Sequence, residues 1–248
     1  MWADRTALAE LELSTRRQVL DVGAGTGELT RVLRDERPRD DGGVIAVDAD
    51  PALLERVSPP RIVGDATRLP VRSGSADLVV CQALLVNLDT PARAVEEFAR
   101  VSTDRVAAIE PDNGAVSVES TVERERTLTR QARRLYLDGS SVDPAIGAVR
   151  GLFEAAGLSE ITVRRYDHVR TVEPPYTERG LEGARRKASG EGLAADRETL
   201  LAAGLGAEGF DRLRSEWRAM GRQVIAQMRD REYRRQETVP FYVTVGRV

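Results

Sequence analysis

Val19-Leu-Asp-Val-Gly-Ala-Gly-Thr-Gly-Glu-Leu-Thr30 is a short apolar run carrying one acid, Asp21, followed by three glycines spaced two apart and a polar stretch. An apolar run bounded by glycine reads as a buried strand, and Glu28 to Arg34 reads as the helix it feeds. Gly23, Gly25 and Gly27 take every β-carbon off one side of the turn. Backbone N–H groups at the positive end of the helix can then approach a small charged ligand. The third glycine falls one residue early for Gly-x-Gly-x-x-Gly. Glu28 stands where a dinucleotide fold wants a glycine for close helix packing, and an acid there opposes a pyrophosphate. A nicotinamide dehydrogenase is therefore disfavoured. A turn of this kind can also be a plain strand-to-helix connection, so the flanking chain has to decide.

Downstream, Val44-Ile-Ala-Val-Asp48 reads as a second buried strand ending in an acid, the place where nucleotide-binding α/β folds hold a ribose diol. Arg61-Ile-Val-Gly64, followed by Asp65-Ala66, gives a third strand, Ala76 to Gln82 a fourth and Arg105 to Glu110 a fifth. Helices fall between them: Pro51 to Val57, opened by Asp50 as N-cap, and a stretch from Thr90-Pro91 through Arg100. This alternation predicts a doubly wound α/β sheet, mostly parallel, with ligands outside the carboxyl ends of the strands. Further on, the pattern predicts a helix from Pro144 to Ala156, a long strand from Ile161 to Val172 and a closing strand from Pro240 to Gly246. Residues 176–236 read as a polar helical insertion, too long for a bare hairpin loop. One short helix, Asp4 to about Leu13, precedes the first strand.

Val19 to Gly27, Val47-Asp48, Gly64-Asp65-Ala66, the run from Leu69-Pro70 to Ala76-Asp77, and Glu96-Glu97-Phe98-Ala-Arg100-Val101 stand in a fixed order over residues 17–112. In these blocks the chain resembles the class I S-adenosylmethionine-dependent methyltransferases, most closely the small-molecule group of the ubiquinone/menaquinone type. The resemblance implies a Rossmann-like, seven-stranded, mostly parallel sheet ending in an antiparallel hairpin strand. It implies one methyltransferase domain over 1–248, with a cofactor-binding half at 1–112 and a substrate-side half at 113–248. S-adenosyl-L-methionine is the implied cofactor. Gly23, Gly25 and Gly27 would cradle its methionine part and Asp21 would face the ammonium group, directly or through water. Asp48 would accept the ribose hydroxyls, or else cap the next helix. Asp65 would accept from the adenine amino group while the Ala66 backbone reads the ring; the alternative for Asp65 is a turn after Gly64. Gln82 would flank the sulfonium end or simply cap the strand tip.

The chain departs from that family after the fourth strand. Many members carry His there, where this chain has Val86-Asn87, and Cys81-Gln82-Ala83-Leu84 replaces the Asn/Asp-Pro-Pro-aromatic tetrad of nucleic-acid amino-methyltransferases. No catalytic residue is assigned. Candidates for a base are Glu110 and Asp112 at the tip of the fifth strand, His168 and Tyr136, each with a ready structural explanation as cap, surface group or packing. The 176–236 insertion, with Thr121 to Leu137, is expected to supply a lid and the substrate pocket, the alternative being a dimerisation arm.

Composition narrows the remaining choices. The 248 residues are 41% hydrophobic and 31% charged, enough for a core, and the net charge of −3 offers nucleic acid no general attraction. One cysteine, Cys81, and one histidine, His168, exclude a zinc site, so no metal is expected. Basic side chains are nearly all arginine, Lys187 being the single lysine, and they alternate with acids as on solvated helix faces. No apolar run is long enough to span a membrane and no signal peptide opens the chain, so a soluble, cytoplasmic protein is expected, with a homodimer compatible. The leading expectation is methyl transfer to a small, partly apolar metabolite. The alternatives are an RNA or protein methyltransferase, for which Arg185-Arg186-Lys187 with Arg212, Arg214 and Arg218 is the one basic cluster, and a non-catalytic cofactor-binding relative.

Overall fold

The computed structural model describes residues 5–36, 43–141 and 149–248. By internal contacts these fall into two compact units: 5–36, 43–111, 149–166 and 241–248 in the first, and 112–141 and 167–240 in the second.

The first unit is built on β1 (Val19–Val22), β2 (Val44–Asp48), β3 (Arg61–Val63), β4 (Ala76–Gln82) and β5 (Ser102–Pro111), hydrogen-bonded in the order β3-β2-β1-β4-β5, all parallel. Parallel strands covered on both faces need continuous apolar runs, and every residue of β1 is buried, Asp21 included. Val22 pairs with Val47 on one side and Cys81 on the other, which lines up the carboxyl ends of β1, β2 and β4. Helices α1 (Glu28–Glu36), α2 (Pro51–Leu54), α3 (Pro91–Val101) and α5 (Val149–Ala155) connect or cover them, with α4 (Glu123–Gly139) belonging to the second unit. Leu20, Val79, Phe98, Val106 and Phe153 form the core on one face, and Ala24, Ala46, Leu54 and Val57 a smaller cluster apart from it. Asp50 caps α2, accepting from Ala52 N at 2.8 Å, as the sequence indicates. The helix is only four residues long, because the chain turns out of it before Val57.

One expectation changes in this unit. The segment expected as one short helix from Asp4 forms two 3₁₀ helices, Thr6–Leu11 and Leu13–Thr15, parted by Glu12 in the left-handed region; Asp4 itself lies outside the described residues. Of the helix expected over Pro144 to Ala156, only α5 is described, and 144–148 lie outside.

The closing strand, β8 (Arg235–Arg247), starts five residues before the expected Pro240 and runs through both units. Its later part pairs antiparallel with β5, from Arg105 with Arg247 to Pro111 with Phe241. Its first part pairs antiparallel with β6 (Ser117–Ser120), an eighth strand beyond the seven expected. Pro240 has no N–H to give and falls between the two paired stretches, where the ladder needs no donor from it. The long strand β7 (Ser159–Val172) pairs with β8, as a terminal hairpin requires.

In the second unit, α4 (Glu123–Gly139), α6 (Glu178–Ser189), α7 (Glu191–Ala195), α8 (Arg197–Ala202) and α9 (Ala207–Arg229) pack around Leu128, Ala184, Leu193, Leu200, Phe210, Met220 and Val224. The polar insertion is therefore helical and has its own core. Helices α6 and α9 approach so closely that a β-carbon on Gly221 would run into the backbone of Ala188.

Candidate active site

The glycine turn following β1 is held by its own amides, which differs from the expected arrangement. Gly23 and Ala24 N–H both donate to Val47 O, at 2.8 and 3.0 Å, and Gly27 N–H donates to Ala24 O at 2.8 Å. Gly25 N–H donates to Asp48 Oδ2 at 2.7 Å. These four N–H groups shape the turn instead of awaiting a ligand. All three glycines have positive φ, as the turn demands, but their surroundings differ. A β-carbon on Gly23 would meet Leu84 Cδ1 at 2.7 Å and one on Gly27 would meet Val57 Cγ2 at 2.9 Å. At Gly25 it would meet nothing within 4 Å. Gly25 is thus the position where the turn presents bare backbone to open space.

On the strand that leads into the turn, Asp21 is 1% exposed. Its Oδ2 accepts from the Thr30 hydroxyl at 2.5 Å, while Oδ1, equally buried, has no hydrogen-bond partner. Burial drives the carboxyl pKa up to about 7, against the lowering effect of Thr30. A buried carboxylate oxygen without a donor is costly, and a donor or cation brought to it would relieve that cost. Thr30 is a site residue the sequence reading missed; its signal was a hydroxyl in the first turn of α1, facing the strand acid.

Asp48 ends β2 with both oxygens on backbone, Oδ2 on Gly25 N–H and Oδ1 on Asp50 N–H at 2.9 Å. Each oxygen keeps a further lone pair for a ligand hydroxyl. Asp65 Oδ1 accepts from both the N–H and the hydroxyl of Thr67 at 2.8 Å, and these bonds hold its carboxyl below the usual range. That is the turn arrangement foreseen as the alternative. The Ala66 side chain is buried in the core, and Gln82, half-buried, closes β4 opposite Ile109. The structure thus brings Asp21, Gly25, Asp48 and Gln82 to the carboxyl ends of neighbouring parallel strands, with Asp65 and Ala66 just past β3.

The candidate bases fare differently. Glu110 is 1% exposed, and its carboxylate accepts from Leu84 N at 3.1 Å, Leu85 N at 3.0 Å and Val86 N at 3.3 Å, with the Cys81 thiol at 3.6 Å. Burial pushes its pKa up and these donors pull against that shift. It anchors the turn after β4, where Ala83 sits at φ +48°, a strained conformation for a residue with a side chain. Because Leu84 lies against Gly23, Glu110 acts on the glycine turn through that loop. Asp112 Oδ1 accepts from Gly114 and Ala115 N–H, both at 3.0 Å, and so shapes a turn. His168 Nε2 accepts from Arg170 Nε at 3.1 Å, and Tyr136 is exposed on α4. Asp112, His168 and Tyr136 all belong to the second unit, Glu110 to the first.

A parallel sheet in this order, with an acid-bearing glycine turn at its carboxyl edge, defines a Rossmann-like nucleotide-cofactor fold. Residues 20–109 match the methyltransferase domain family, so over that segment the chain is similar to it. Uncharacterized methyltransferases of Mycobacterium tuberculosis and Mycobacterium bovis are each 43% identical over 166 residues, which is 65% of this chain and 54% of theirs. The match thus spans about half the length of these relatives. Among solved structures, a candidate methyltransferase of Bacillus halodurans aligns over 98% of this chain and 99% of its own, with a TM-score of 0.53 and 13% identity. The YcgJ protein of Bacillus subtilis aligns over 98% of both chains, with a TM-score of 0.51 and 14% identity. Both share the fold. Among the described residues no helix is long and apolar enough to cross a membrane.

Proposed function

We propose that this chain transfers a methyl group from S-adenosyl-L-methionine to a small, partly apolar metabolite. The observation that carries the reading is the buried Oδ1 of Asp21, without a donor, on the strand that leads into the turn where Gly25 presents bare backbone. That pair fits the cofactor's amino-acid end: the ammonium group supplies the missing donor to Asp21, and the methionine part lies where a β-carbon on Gly25 would stand. Asp48 would take the ribose hydroxyls on its spare lone pairs, holding the ligand to the same turn it already holds through Gly25 N–H. Asp65, Ala66 and Gln82 would flank the adenine and the reacting end, as the family resemblance implies.

When bound, this cofactor supplies a methyl group on a positively charged sulfur, open to in-line attack by an electron-rich acceptor atom. The chain's part is orientation and exclusion of water, which together account for much of such a rate. Glu110 is committed to three amides and a thiol, so the reading assigns it no proton transfer; it is a positioning residue that fixes Leu84 against Gly23. An acceptor that sheds its proton late, or arrives ionised, needs no base.

Calorimetric titration with S-adenosylmethionine, S-adenosylhomocysteine and NAD, followed by a labelled-methyl screen of small acceptors, tests the proposal. Binding of the first two with transfer to an acceptor is the expected result. Well-folded protein that binds neither methionine nucleotide would overturn it.

A further inference from the structure

Within the second unit, α4, α6, α7, α8 and α9, from the segments expected to supply the lid and substrate pocket, line an open cavity of 430 Å³. Its apolar wall is formed by Ala132, Leu193, Leu200 and Trp217. Three charged side chains share the lining: Arg133, Arg186 and Asp196. Two guanidiniums against one carboxylate leave the wall with a formal charge of +1.

The setting of Arg133 sharpens this. Among the described residues only its Nη2 is bonded, to Glu237 Oε1 at 3.2 Å, which leaves the remaining donors of the guanidinium for a ligand. Glu237 is itself shared, with Arg235 Nη2 at 3.1 Å and Arg170 at 4.0 Å. Arg235 in turn lies 3.3 Å from Glu125, which also pairs with Lys187. Four cations, Arg133, Arg170, Lys187 and Arg235, therefore divide two carboxylates, Glu125 and Glu237, and Arg133 is the member that reaches the cavity. Asp196 stands at the start of α8 but makes no side-chain cap bond, so its carboxylate is left beside Arg186 at the cavity wall.

We propose that this cavity is a binding site for an amphipathic organic monoanion, with an aromatic or branched apolar body against Leu193, Leu200 and Trp217 and a single carboxylate head on Arg133 and Arg186. The net charge of the lining matches one negative charge, and the apolar wall matches a body of a few carbons or one ring. The site lies wholly in the second unit and does not rest on methyl transfer, so either reading can fail without the other.

The probe is 8-anilinonaphthalene-1-sulfonate, an aromatic body with one negative head, followed by its own fluorescence and by transfer from Trp217. Saturable binding is expected, displaced by 4-phenylbutyrate but at least about tenfold less well by the neutral 4-phenylbutanol, a charged hydrogen bond being worth that factor or more. Arg133→Met and Arg186→Ala should each weaken dye binding by roughly tenfold with thermal unfolding unchanged. Should Arg133→Met unfold the protein through its loss to Glu237, the exposed Arg186 decides alone, together with Ala132→Leu, which narrows the cavity and should abolish binding. Non-saturable dye binding, equal displacement by the alcohol, or unaltered binding in folded Arg186→Ala would overturn the proposal.

Discussion

The hydroxyl of Thr30 donates to Oδ2 of Asp21 at 2.5 Å, and among the described residues it is the only side-chain donor to a carboxylate whose other oxygen is buried without a partner. The pair fixes the Asp21 side chain in one orientation inside the sheet while leaving its charge under-compensated. A site that waits for a cation has this form.

The pKa of Asp21, raised from 3.8 to about 7 by burial, makes stability fall as pH rises. Between those values the folded state holds a proton that the unfolded state has released, so the folded state loses ground up to pH 7 and the loss is complete above it. Asp21→Asn removes this dependence and can still accept from Thr30. Urea unfolding at pH 5 and pH 8 should show the variant gaining on the parent by about 2 kcal/mol over that interval. A constant difference at both pH values would mean that Asp21 titrates as an ordinary carboxylate.

Asp48 has two tasks, and its loss should be felt in both. Asp48→Ala removes acceptors from Gly25 and Asp50 N–H, which should lower stability by about 1–3 kcal/mol. If the same carboxylate takes the ribose hydroxyls, affinity for S-adenosylhomocysteine should drop by a further ~1.5–3 kcal/mol. Calorimetry on protein shown to be folded separates the two, and undiminished affinity would remove Asp48 from the site.

Gly23 and Gly25 predict opposite phenotypes for the same substitution. Gly23→Ala puts a methyl group against Leu84 in a left-handed backbone, so unfolding should become easier by roughly 2–4 kcal/mol. Gly25→Ala meets open space and should cost only about 1 kcal/mol of stability, for its positive φ. Cofactor binding should nevertheless fail in Gly25→Ala, because the methyl group occupies the ligand's place. Normal binding in that variant would move the ligand elsewhere on the turn.

Most of the first unit was legible because parallel strands announce themselves: β1, β2 and β4 are continuous apolar runs with an acid or amide at the tip. The start of β8 and all of β6 were not, since Arg235-Gln236-Glu237 and Ser117-Val-Glu-Ser120 carry charged and hydroxyl groups where a strand signal wants apolar residues. Ionic pairing inside the second unit accounts for the first of these: Arg235 and Glu237, both half-buried, pair with each other, and Glu237 pairs also with Arg133. At the site, residue types located Asp21 and the glycines. They were silent on which amides the turn consumes, on Thr30, and on the use of Glu110 as an anchor, because each depends on a register set by sheet pairing.

Glu110→Gln tests that anchoring. A glutamine side chain offers one acceptor oxygen where the carboxylate offers two, so part of the set formed by Leu84, Leu85 and Val86 N–H is lost. Stability should fall by about 1–3 kcal/mol. The pH profile of methyl transfer should keep its shape while the rate drops, since the residue positions the turn and does not carry the proton. A lost ionisation in the profile of the variant would restore Glu110 as a base.

The second unit depends on Glu125, fully buried yet charged. It accepts from Ser120 Oγ at 2.6 Å and Tyr233 OH at 2.9 Å and pairs with Lys187 and Arg235. Burial alone would raise its pKa, but Lys187, Ser120 and Arg235 together hold it below the usual carboxylate range. A depressed pKa contributes stability that is present above the ordinary glutamate value and is lost as pH falls through the folded one. Glu125→Ala leaves the half-buried Lys187 without its carboxylate and Arg235 with Glu237 alone, and should destabilise the protein by about 3–5 kcal/mol at pH 7. Lys187→Met removes one of the surplus cations, leaves Arg235 with its partner, and should cost less than half as much. Chemical unfolding of the two variants provides the comparison. If Lys187→Met proved as damaging as Glu125→Ala, the excess of positive charge around Glu125 and Glu237 would not be real, and the attraction of the neighbouring cavity for an anion would lose its basis.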